Sequence, residues 1–147
     1  MTRILSKPKR RAAVLISYTS FLTLMLLLST SIELPIFLHI PLLLLSAITL
    51  IYSLYYLYND TQLWHFGNAP DAQLDERQVQ VRNRAYRLAY TGVASFFILI
   101  VIYYSFAVDK NLWIPEDWEE ANLLVWIVIF MTLTLPSSIL AWMEEEV

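Results

Sequence analysis

Four stretches of this chain contain no Asp, Glu, Lys or Arg: residues 12–32, 34–59, 88–108 and 121–143. They hold 21, 26, 21 and 23 residues. A helix rises about 1.5 Å per residue, so ~20 residues cross a ~30 Å hydrocarbon core. Each stretch is long enough. Lipid offers no partner to an unpaired backbone group, which leaves helices or closed barrels. Continuous apolar runs such as Leu42-Leu43-Leu44-Leu45 lack the alternation of a barrel strand. The pattern predicts an all-α polytopic membrane protein. Its single domain, 1–147, would hold four spans in two hairpins, at about 12–31, 35–58, 85–108 and 121–143.

Composition agrees. Apolar residues make up 58% and charged residues 16% of 147 residues, against about 45–50% and 25% in soluble domains. Two glycines leave no room for a Gly-rich phosphate loop, and the absence of cysteine removes disulfides and thiolate metal sites. A net charge of −3 does not suit a nucleic-acid binder.

Basic residues set the expected orientation. Arg3, Lys7, Lys9, Arg10 and Arg11 precede the first span, and Arg77, Arg82, Arg84 and Arg87 lie between the second and third. Only Lys110 falls on the other side. This positive-inside bias places both termini and the 59–84 segment in the cytoplasm, with 109–120 outside. Ser29-Thr30-Ser31 behind a basic start also resembles a signal-peptide cleavage site, but the apolar run from Ala12 to Leu28 is longer than an ordinary signal core. Within 59–84, turn residues surround Leu63-Trp64-His65-Phe66, and Trp64 and Phe66 are expected at the membrane surface.

Asp75 followed by Gln78 reads as a capping box. Nothing from 76 to 108 breaks a helix except Gly92, so one helix should project past the third span into the cytoplasm. Leu74-Asp75-Glu76-Arg77, followed by Arg82, Arg84-Ala85 and Tyr86, resembles an uncharacterised family of small bacterial four-helix membrane proteins, in which a similar Leu-Asp-Glu-Arg stretch precedes the third span. The resemblance covers that stretch and the general topology, and implies no reaction. It implies a bacterial plasma (inner) membrane. Asp75, Glu76, Arg77, Arg82 and Arg84 are candidates for docking a partner, although a cap and a topology signal account for the same charges.

No Asp, Glu, Lys or Arg lies deep in any span, where proton pumps place theirs. No HExxH motif is present. His39 and His65 are too far apart for a bis-histidine haem. His39 is the one weak cofactor-binding candidate, either in the second span or in the turn before it. His39, Leu42, Ser46, Thr49, Ser53 and Tyr56 fall on one helix face, a polar stripe expected to point into the bundle. Ala85, Ala89 and Gly92 mark a second contact face, and Pro136, with Thr134, Ser137 and Ser138 around it, marks a kink.

No catalytic residue, metal or cofactor is predicted. The expected function is non-enzymatic: an accessory, scaffold or assembly subunit of a bacterial membrane complex, or a homo-oligomer. Its partners would be membrane lipid and a protein subunit or a second copy, with no nucleic acid. The alternative is a small transporter or channel, or a pigment- or lipid-binding subunit, using the stripe of Ser46, Thr49 and Ser53.

Overall fold

The computed structural model of the chain describes residues 7–29, 35–60, 63–115 and 117–143, with the side chains of Asp60, Trp64 and Glu119 excepted. Arg3, Thr30, Ser31, the tight turn at 32–34 and the acidic run Glu144-Glu145-Glu146 lie outside the described residues. The chain is helical. It runs α1 (Lys7–Leu28), α2 (Ile36–Tyr55), a π turn (Tyr56–Asp60), α3 (Leu63–Asn68), a 3₁₀ turn (Asp71–Gln73), α4 (Glu76–Lys110) and α5 (Trp118–Met143). Four of these helices, α1, α2, α4 and α5, are long and apolar enough to cross a membrane.

α1 begins inside the basic segment, five residues ahead of the first charge-free stretch. Pro8 is tolerated there because a first-turn amide has no helical partner to lose. α2 begins after Pro35 and contains both His39 and Pro41, so His39 belongs to the helix rather than to the preceding turn. α4 is one unbroken helix of 35 residues, ~52 Å long. Asp75 caps it: the Gln78 amide donates to Asp75 Oδ1 at 2.7 Å, and the Asp75 amide donates to Gln78 Oε1 at 3.1 Å. Asn111, at φ 51°, ends it in the left-handed conformation that asparagine tolerates better than most residues. α5 starts three residues before its charge-free stretch, where Asp117 accepts from the Glu120 amide at 2.9 Å.

α1 packs along α2, α4 packs along α5, and α1 and α5 meet between them. Each contact has its own chemistry. The Ser17 and Ser53 hydroxyls lie 3.0 Å apart between α1 and α2. Phe21 and Phe130 stack at 3.9 Å between α1 and α5, with Tyr18 edge-on to Phe130 at 5.2 Å. Buried Ala85 and Ala89 line the α4 side of the α4–α5 contact. A Cβ on Gly92 would stand 3.2 Å from Leu135 Cδ2, so the missing side chain permits the approach.

One expectation is corrected. Phe66 does not rest at the membrane surface: it is 7% exposed, in a core with the fully buried Leu63 and with Leu57, Ala85, Leu140 and Ala141, while the Trp64 side chain lies outside the described residues. α3 contacts the π turn and α5 and closes one end of the bundle. The π turn brings Leu57 inward and leaves it 1% exposed. Leu63 and Phe66, three apart on a short helix, present one apolar edge to that core. Protein surface, not lipid, covers them.

Candidate docking site on the charged end of the fourth helix

The charge-free part of α4 starts at Leu88, so the first twelve residues of the helix form its charged end. Their inward side is anchored. Arg82 donates from Nη1 to the Ala69 carbonyl at 2.7 Å and pairs through Nη2 with Asp71. The Tyr86 hydroxyl lies 3.4 Å from the Gly67 carbonyl. Val81 and Leu74 pack against the core that holds Leu63 and Phe66. The sequence candidates therefore divide. Asp75 serves the helix cap and Arg82 ties α4 to the preceding loop. Glu76, Arg77 and Arg84 are exposed, as are Gln80 and Arg87.

The polar stripe of α2 also divides. Ser46 and Ser53 are the buried residues of the helix, Thr49 and Tyr56 are half-buried, and Leu42 is exposed. Ser46 and Ser53 donate back to the Leu43 and Leu50 carbonyls, each at 2.9 Å, and Ser53 also meets Ser17. The half-buried His39 lies 2.7 Å from the Leu27 carbonyl through Nε2. A carbonyl only accepts, so Nε2 carries the proton and is occupied. Among the described residues no group of three or more His, Cys, Asp or Glu could hold a metal ion.

Two features were not foreseen from the sequence. Arg10 is 1% exposed, and the Arg11 guanidinium lies 4.5 Å above the Trp142 ring, reaching the Trp142 carbonyl at 3.4 Å. The second is a layer of hydroxyls between α1 and α5. Thr134 Oγ1 is 2.8 Å from the Phe130 carbonyl and 3.1 Å from the Tyr18 hydroxyl. Ser138 donates to the Thr134 carbonyl at 2.8 Å. Thr134, Ser137 and Ser138 were legible as polar neighbours of Pro136, but only folding puts them against α1.

Fold and composition together define a multi-pass helical protein with four candidate membrane spans. Comparison with protein-family models, curated proteins and solved structures gives no match.

Proposed function

We propose that this chain is a non-enzymatic four-span protein of a bacterial plasma membrane, acting as an accessory, scaffold or assembly subunit of a membrane complex. Both termini and residues 59–84 face the cytoplasm in this reading, and lipid covers the outward apolar faces of α2 and α4.

The observation that carries the proposal is the charged end of α4. It is a stiff helical element, anchored on one side through Arg82, Tyr86 and Val81, and exposed on the other through Arg77, Arg84 and Arg87. A preorganised charged surface loses little entropy on binding, which suits a docking element. Purification in mild detergent, followed by mass spectrometry of co-purifying proteins, tests the reading. A stoichiometric partner supports it. A lone protein with substrate-dependent flux in vesicles overturns it in favour of a transporter.

A further inference from the structure

Arg77, Gln80, Arg84 and Arg87 follow one another on α4 at steps of three and four residues. At ~100° per residue they fall within an arc of about 80°. All four are exposed. Ala85, Ala89 and Gly92 occupy roughly the opposite side, against α5. Arg82 is on that inner side and pairs with Asp71. None of the three outer arginines carries an ion pair among the described residues.

Their height decides what they meet. The charge-free stretch 88–108 has 21 residues, ~31 Å of helix against a ~30 Å hydrocarbon core, so the fit leaves room for little tilt. Arg87 then sits at the hydrocarbon boundary and Arg84 ~4.5 Å beyond it. Arg77 lies ~15 Å beyond it, outside a headgroup layer of ~5–7 Å per leaflet. Lipid headgroups reach the lower two arginines. They do not reach the whole stripe, which climbs away from the bilayer instead of staying at one depth.

We infer that the Arg77–Gln80–Arg84–Arg87 face of α4 docks an acidic helical segment of a partner protein, standing alongside α4 on the membrane surface. The inference rests on the accessory-subunit reading and names the surface and the partner chemistry. Carboxylates at matching helical spacing meet the three guanidiniums, each able to form paired N–H···O bonds with one carboxylate. Gln80 supplies a neutral donor and acceptor between them.

The test uses the full chain in nanodiscs of phosphatidylcholine for peptide binding, and in detergent micelles doped with phosphatidylglycerol for lipid retention. The probe is a fluorescent alanine-based helical peptide carrying Glu at the spacing of the arginines, with a Gln-substituted peptide as control. The Glu peptide binds, and the Gln peptide binds about tenfold more weakly, as expected for three exposed pairs. R77Q/R84Q/R87Q weakens Glu-peptide binding by about the same factor, and binding falls as salt shortens the Debye length. R77Q alone weakens it about two- to threefold and leaves retention of phosphatidylglycerol unchanged. All three positions are exposed, so the melting temperature stays at the wild-type value; the single variant keeps the test readable if the triple variant does not fold.

Three results overturn the inference. R77Q is without effect while R84Q/R87Q reduces only phosphatidylglycerol retention, which makes the stripe a lipid contact. The triple variant turns a dimer into a monomer that never bound peptide, which makes the occupant a second copy. A co-purifying complex survives the triple substitution intact, in which case the accessory-subunit reading stands and this surface falls. Stripe-dependent peptide binding with no stable native complex separates the two the other way.

Discussion

His39 Nε2 lies 2.7 Å from the carbonyl oxygen of Leu27, joining the start of α2 to the end of α1. The last four carbonyls of a helix have no helical donor, and at this end of the bundle a side chain from the next helix supplies one. Replacing His39 by Leu leaves that carbonyl without its donor and costs ~1–3 kcal/mol. His39→Gln keeps an N–H and costs less. Equilibrium unfolding in mixed detergent micelles ranks the three proteins, with wild type most stable.

Ser53 meets Ser17 across the α1–α2 contact. Ser53→Ala removes one interhelical hydrogen bond, about 0.6 kcal/mol in a membrane protein. Ser53→Leu inserts bulk into a packed position and costs about 1–3 kcal/mol. Thr49→Leu, at a half-buried site, falls below it, and Leu44→Val, on the exposed face, is close to neutral. The same unfolding assay checks the order. Equal effects at 44 and 53 would remove the basis for an inward-facing stripe.

Leu63 is fully buried in the core formed with Leu57, Phe66 and Leu140. Leu63→Ala is therefore expected to cost about 2–5 kcal/mol. A leucine lying on the bilayer surface would lose far less. A thermal shift near zero for this variant would remove the basis for a buried α3 and return Phe66 to the membrane surface.

Arg82 holds the loop before α4 through Ala69 and Asp71. Arg82→Ala should raise amide hydrogen exchange at 69–74, because the loop loses its main side-chain tie to α4. Arg77→Ala, at an exposed site on the same helix, should leave that exchange unchanged. Mass-spectrometric exchange on the two variants distinguishes a loop tie from a free docking arginine.

The natural absence of cysteine allows direct mapping of sidedness. Single cysteines at the exposed positions Gln73 and Leu112 lie at opposite ends of α4. With the 59–84 segment in the cytoplasm, an impermeant thiol reagent on intact cells labels Leu112→Cys and spares Gln73→Cys. The reverse pattern inverts the orientation.

The long helices were legible in the order of residues, because a ~20-residue charge-free run admits few structures once lipid denies backbone groups any other partner. The cap at Asp75 and the unbroken course of α4 were equally local, set by Asp75, Gln78 and the lack of any breaker but Gly92. So was the face holding Ser46 and Ser53, which follows from helical periodicity alone. Other features depend on segments distant in the chain. Leu63 and Phe66 are buried only because α5 and the π turn close over a six-residue helix too short to show a period. Arg82 and Arg77 look alike in sequence, yet Arg82 meets Asp71 and Ala69, while Arg77 faces away. His39 could be placed on a face but not given a partner, since Leu27 reaches it only when α1 and α2 pack. Spacing along one helix determines which side chains share a face; the packing of the other helices decides which of those faces is covered, and by what.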